Sequence, residues 1–259
     1  MNSVLDDNHL LTLPNGERIN FGPNVNFVFE TNNLKFASPA TVSRMGVIYM
    51  SEEDVEVSRL VNTWIRKQDQ NLMPKITTWI EEYFYSALEW VLHNDQYLLV
   101  QTTKVGIVSN VLTHLIGVKT KSEFAISIIR GFGSNFPIEI RNKFANEFFA
   151  LMDEKVPDSR NPLDCNFNEK HGGFKSYAFD PSEAFLDHET LSYETPPLIQ
   201  TVGIQRDINF IKKWLNNSEP FIVVGPEGCG KSLLLNFLFT KLKSTQVSIH
   251  QISSSTLSR

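Results

Sequence analysis

The sequence is poor in cysteine. Cys165 and Cys229 are its two, 64 positions apart, with no CxxC and no paired histidine spacing. That excludes a disulfide framework, gives no support to a structural zinc site, and fits a reducing, intracellular compartment. Long apolar runs are missing as well. No stretch approaches the roughly 18 uninterrupted apolar residues that span a bilayer, and the opening Met1-Asn2-Ser3-Val4-Leu5-Asp6-Asp7 lacks the charged start and apolar core of a secretory signal. An excess of positive charge is absent too. With 24 basic and 29 acidic side chains the net charge is −5, the wrong sign for a whole-surface nucleic-acid binder. Internal repeats and low-complexity tracts are not found. What remains, 41% hydrophobic and 20% charged in 259 residues, is the composition of a soluble globular protein of one large or two ordinary domains.

The first 50 residues read as strand and turn. Residues 10–13 and 18–21 flank Pro14-Asn15-Gly16, a turn whose Asn and Gly accept positive φ, so a hairpin is expected. Residues 25–29, Val-Asn-Phe-Val-Phe, have the apolar, β-branched character of a buried strand and lead into Glu30, Thr31, Asn32 and Asn33. Open α/β sheets bind ligands at such carboxyl ends. From Ser51 the period becomes helical, with Ser51 to Asp54 expected as a capping box. Val57, Leu60, Val61, Trp64 and Ile65 share one face. A second helix starts near Pro74 and presents Ile76, Trp79, Ile80, Phe84, Ala87, Leu88 and Val91; the aromatic stripe of Trp79, Phe84 and Trp90 reads as packing. A third runs from Ile107 to a stop at Gly117, a fourth from Phe124 to a stop at Gly131, and a fifth begins at Pro137 with Ile140, Phe144, Phe148, Leu151 and Met152 inward. Residues 51–155 are thus an all-helical unit. Residues 156–197 read as a connection rich in Pro, Asn, Asp and Gly. After it we expect a helix at 207–215, a strand at 221–224, a helix at 230–242 and a strand at 246–252. The six histidines, His9, His93, His114, His171, His188 and His250, show no ligand spacing.

The strongest chemical signal is Gly225-Pro226-Glu227-Gly228-Cys229-Gly230-Lys231-Ser232, which fits GxxxxGK[ST] without mismatch. At average residue frequencies that pattern arises by chance in about one chain in a hundred of this length. Its glycines let the backbone curl so that successive N–H groups face phosphate oxygens, and the following helix adds its positive end. Lys231 reaches the β and γ phosphates, and the Ser232 hydroxyl can ligate Mg²⁺. ATP or ADP with Mg²⁺ is therefore the expected ligand. Cys229, at a free position of the loop, reads as a packing residue. Phosphoryl transfer also needs carboxylates to hold the metal and orient the attacking water. None of the residues after Ser232 is Asp or Glu. The phosphate-loop unit is thus expected to be the opening of a nucleotide-binding domain, and the chain a stretch of a longer tandem array with little activity by itself.

Residues 2–8, the stretch Gly22-Pro23-Asn24-Val25-Asn26-Phe27-Val28-Phe29-Glu30, the run Ala37-Ser38-Pro39-Ala40-Thr41-Val42-Ser43-Arg44-Met45-Gly46 and the phosphate loop resemble a dynein heavy chain, nearly end to end. Phe29-Glu30-Thr31 followed by Ser38-Pro39-Ala40-Thr41, and the loop itself, are most similar to the cytoplasmic dynein of intraflagellar transport. The resemblance implies an α/β fold of partial P-loop AAA+ modules. Residues 1–50 would end the α/β core of the second module, 51–155 form its helical lid, 156–197 connect, and 198–259 open the third module. It implies an ATP-driven microtubule motor in the cytoplasm, cytoskeleton and cilium or axoneme, working in retrograde intraflagellar transport. Its partners would be the rest of the heavy-chain ring, dynein intermediate and light chains, and the microtubule. Arg44 matches the position of an arginine finger toward the preceding module; an ion-pair role is the alternative. Asn32 and Asn33 lie where such modules carry a polar sensor, or simply form a turn. Asp6 and Asp7 are expected to organise the chain before the hairpin. Val202, Gly203 and Ile204, ahead of the third module's first helix, are candidates to contact adenine. Two other functions stay open: a nucleotide-gated structural element that hydrolyses little, and a small P-loop kinase or GTPase.

Overall fold

A computed structural model describes residues 2–6, 9–51, 55–168, 170–179, 197–242 and 246–250. The chain divides into two compact units, Met1–Asp54 and Val55–Arg259.

The first unit opens with α1 (Asn2–Leu5) and an antiparallel hairpin of β1 (Leu10–Thr12) and β2 (Arg18–Asn20), paired Leu10 with Asn20 and Thr12 with Arg18. The expected turn closes it: Gly16 takes φ +84°, and the Leu13 N–H donates to Glu17 O at 2.8 Å. A side chain at that φ would be strained, so glycine fixes the turn. Residues 25–29 do not form the expected strand. Val28 is 94% exposed, and no ladder reaches it among the described residues. A strand takes its hydrogen bonds from a neighbour, and apolar sequence alone does not supply one. α2 (Pro39–Val42) follows, with Ser38 accepting from the Thr41 N–H and Pro39 at the first helical position, where its missing donor costs nothing.

The second unit is built on helices. They are α3 (Val57–Ile65), α4 (Met73–Trp79), a π turn (Ile80–Phe84), α5 (Tyr85–His93), α6 (Lys104–His114), α7 (Lys121–Gly133) and α8 (Ile138–Leu151). Glu56, not Ser51, stands at the N-cap of α3, and its carboxylate pairs with Arg59 at 2.7 Å. Glu52 to Asp54, needed for the expected capping box, lie outside the described residues. The second expected helix is one run interrupted by the π turn. Ile76, Ile80 and Phe84 are all buried at steps of four, which drift about 40° per step on an α-helix. The wider turn takes up that drift. Phe84, Phe124, Phe132, Phe136, Phe144 and Phe149 fill the core, with Phe84 and Phe132 edge to face at 5.1 Å. Trp79 and Trp90 pack beside it, against Phe124 and Phe144.

Gly117 ends the α6 turn at φ +73° as expected, but Gly131 does not stop α7. The helix runs through it, and a Cβ there would lie 2.8 Å from the Val111 Cα. Glycine is needed at this point for the close approach of α6 and α7. The α7 start is a capping box of Thr120 and Glu123. In α8, Leu151 is outward and Phe149 takes its expected place in the core.

Within the expected connection lies an antiparallel hairpin, β3 (Cys165–Asn168) with β4 (Gly173–Ser176), turned at Gly172 with φ +64°. Cys165 is buried at its start, and burial pushes its thiol up to about 11. α9 (Val202–Asn216) and α10 (Lys231–Lys241) complete the unit and share a small core of Ile211, Leu234 and Leu238. α9 is pinned by polar ties: Arg206 to Asp164 at 3.0 Å, Asn209 to the Tyr177 hydroxyl at 2.6 Å, and Lys213 Nζ to His114 O at 2.6 Å. Residues 221–224 and 246–250 are not strands, and 251–252 lie outside the described residues. As at 25–29, no partner strand among the described residues supplies a ladder.

The candidate phosphate loop and the residues around it

The loop is shaped by its glycines. Gly228 and Gly230 adopt φ +74° and +86°, the left-handed region that glycine enters without strain. At Gly225 a Cβ would lie 3.0 Å from Cys229 Sγ, a tight contact that the exposed cysteine would have to yield to. Gly230 stands at the N-cap of α10, and the first intrahelical bond is from the Leu234 N–H to Gly230 O at 2.9 Å. The amides of Lys231, Ser232 and Leu233 therefore have no intrahelical acceptor, which leaves donors and the positive helix end at the loop. Lys231 Nζ folds over the loop and donates to Gly225 O at 2.8 Å and Pro226 O at 2.6 Å. Cys229 is exposed, not packed in a core; its sulfur lies 3.6 Å from that ammonium. Pro226, Glu227 and Ser232 are exposed. This donor set fits a polyphosphate: the Lys231 ammonium, the amides at the start of α10 and the Ser232 hydroxyl.

The strand expected ahead of the loop is the one element of the strand-loop-helix setting that is not formed. Phe221 stacks on Trp214 at 5.8 Å, while Ile222 is 89% exposed. Val202, Gly203 and Ile204 do not precede the first helix; they are its first turn, because Thr201 caps α9 five residues earlier than periodicity suggested. Its hydroxyl accepts from the Ile204 N–H at 3.4 Å. The missed signal was that threonine.

In the first unit, Arg44 follows α2. Its Nε pairs with the Asp6 carboxylate and one terminal nitrogen donates to Ala40 O at 2.5 Å. Asp6, ahead of the hairpin, is thus the ion-pair partner of Arg44; Asp7 lies outside the described residues. Asn33 forms a turn, its side-chain oxygen accepting from the Lys35 N–H at 3.2 Å while its amide donates to Asn32 at 3.0 Å.

Residues 56–152, the span of helices α3 to α8, match the family model described as the AAA+ ATPase domain of cytoplasmic dynein 2 heavy chain 1. The whole chain aligns with proteins of that name. It is 46% identical to the one from Tripneustes gratilla over 95% of its length, and 45% and 44% identical to those from Rattus norvegicus and Homo sapiens over all of it. The chain belongs to the dynein heavy-chain family. Axonemal heavy chain 2 of Mus musculus is more distant, at 29%. The chain spans about 6% of the length of these relatives. The mixture of helices with two small hairpins is consistent with AAA+ architecture, and the family sets aside a small P-loop kinase or GTPase. No described helix is long and apolar enough to cross a membrane.

Proposed function

We propose that this stretch of dynein heavy chain binds ATP or ADP with Mg²⁺ at residues 225–232, as part of an ATP-driven microtubule motor of retrograde intraflagellar transport. In this reading residues 1–50 end the core of the second AAA+ module, 51–155 form its lid, 156–197 connect, and 198–259 open the third module. Its setting is the cytoskeleton and cilium, with the rest of the heavy-chain ring, intermediate and light chains and the microtubule as partners. The observation that supports it most is the loop itself: left-handed Gly228 and Gly230 and the Lys231 ammonium gathered at the start of α10.

Each residue has a separable task. Lys231 exchanges the Gly225 and Pro226 carbonyls for phosphate oxygens, a gain because a charge-assisted bond to an anion is stronger than one to a neutral carbonyl. The amides at the α10 start orient the phosphates, and the Ser232 hydroxyl offers an oxygen to Mg²⁺, which when bound neutralises charge on the phosphates. Val202, Gly203 and Ile204, the first turn of α9, serve adenine. Arg44, positioned by Asp6, reaches as a finger toward the nucleotide of the preceding module.

The test is Lys231→Ala in the full-length heavy chain. Losing one hydrogen bond to a charged group, about 1.5–3 kcal/mol, weakens nucleotide binding at this site by about 10- to 150-fold. Equal affinity in mutant and wild type overturns the assignment.

A further inference from the structure

A cavity of about 330 Å³ lies in the second unit between α6, α7, β3 and α9, away from residues 225–232. His114, Glu123, Ser127, Arg130, Asn209 and Lys213 face it. His114 and Arg130 are 4% and 8% exposed, and the His114 Nε2 and Arg130 Nε atoms have no hydrogen-bond partner among the described residues. Buried polar atoms are ordinarily satisfied, so each such exception calls for a cause.

The charges are unbalanced in the same direction. Arg130 donates to Cys165 O at 2.8 Å and to the Tyr177 hydroxyl at 3.3 Å, with its plane over the Phe210 ring at 4.4 Å. None of those partners is an anion. Lys213 donates to the His114 carbonyl, again neutral, and an ammonium carries three donors. The one carboxylate at the cavity, Glu123, accepts from the Lys119 and Thr120 N–H groups at 2.8 and 3.1 Å, so its charge is spent largely on the α7 start. A buried and a half-buried cation with no ion-pair partner among the described residues are costly, because desolvation disfavours the charged form. The cost is visible: burial, with Arg130 adding, lowers Lys213 to about 8 despite Glu123, and burial, then Lys213 and Arg130, lower His114 to about 3.

We infer that this cavity is a binding site for a phosphate-class oxyanion, held by the Lys213 ammonium, Arg130 Nε and His114 Nε2. The neutral imidazole serves as a donor through its Nε2 tautomer, and the Phe210 wall leaves room for an organic substituent. Free phosphate and the phosphoryl group of a small organic phosphate share this chemistry.

The experiment follows the His114 ring resonances by NMR in the 259-residue chain, assigned by their loss in His114→Gln. Lys231→Ala is present throughout, so that the phosphate loop does not respond; the result is thereby independent of the function proposed for that loop. Inorganic phosphate should shift the His114 signals saturably with a Kd of about 1 mM, leave the other histidines unmoved, and lose at least tenfold in affinity in Lys213→Met. Tighter binding of phenyl phosphate assigns an organic phosphate, and equal affinity assigns the free ion. No saturable shift, or one retained in Lys213→Met, overturns the site. The shift in the parent background decides the matter even if Lys213→Met does not fold.

Discussion

Apolar residues in helices α3 to α8 and apolar residues at 25–29 and 221–224 meet opposite fates. Val61, Phe84 and Val91 are fully buried, while Val28 and Ile222 are 94% and 89% exposed. Composition does not separate them, since both sets are Val, Ile and Phe. Hydrogen bonding does. A helix closes its backbone bonds within itself, so its apolar stripe is free to find another helix nearby in sequence. A strand has no bonds of its own and becomes structure only beside a second strand. Helices α3 to α8 are therefore self-sufficient, and residues 25–29 and 221–224 have no neighbouring strand among the described residues.

The largest expected effect lies outside those helices, at Arg44. In the full-length heavy chain, Arg44→Ala should lower ATP turnover by about 10³- to 10⁵-fold, the range of arginine fingers, with much smaller change in nucleotide binding. Arg44→Lys should rescue only in part, because lysine lacks the planar fork. If the Asp6 pair is the whole role of Arg44, its loss costs about 0–1 kcal/mol of stability, as expected for a part-exposed pair, and turnover stays at wild type. Steady-state rate beside melting temperature separates these outcomes.

The self-sufficient side is tested by Phe84→Ala. Phe84 is fully buried and meets Phe132 and Tyr85 rings, so truncation should cost about 3–5 kcal/mol in denaturant unfolding of the 259-residue chain. A loss under about 1 kcal/mol would mean the helices are not a packed core, and the comparison would break.

What was legible in the sequence follows the same division. The faces of α3 and α6, most of that of α8, the start at Pro74, the Gly117 stop and the β1–β2 hairpin were readable because each is decided by residues within a few positions. Gly131 was misread because its reason, the backbone of Val111, lies twenty positions away. The β3–β4 hairpin was hidden in a Pro- and Asn-rich stretch, although Gly172-Gly173 marked its turn. The positive φ of Gly228 and Gly230 and the helix start behind them were readable, since that geometry is local, whereas the strand ahead of them was not. The cationic cavity was not, since Lys213 and His114 meet only when α9 docks.

That docking predicts a pH dependence. His114 is held neutral with a pKa lowered to about 3, by burial first, then by Lys213 and Arg130. Below the ordinary imidazole value of 6.5 the unfolded chain takes up a proton that the folded chain refuses. Stability is thus complete above 6.5 and falls with pH below it, by up to about 1.4 kcal/mol per unit. His114→Phe keeps a ring against Phe210 and Trp214 and removes the proton. The difference in unfolding free energy between the two proteins should grow, in favour of the variant, as pH falls from 6.5 toward about 5. Parallel curves would show that His114 is open to protons and that α9 is not docked on it.

The smallest effect is the most direct contrast with Phe84. Val28→Ser and Ile222→Ser remove apolar side chains as large as those in the core, yet both residues are exposed, so each should change the stability of the 259-residue chain by no more than about 0.5 kcal/mol. In a full-length heavy chain, where partner strands would cover them, the same substitutions should cost about 1.5–3 kcal/mol, the value of burying such a side chain. The pair of measurements isolates context, because sequence and substitution are held fixed. A large loss in the short chain would show that residues 25–29 and 221–224 are already packed. A negligible loss in both would show that they never become strands, and that the apolar pattern there serves something other than a sheet.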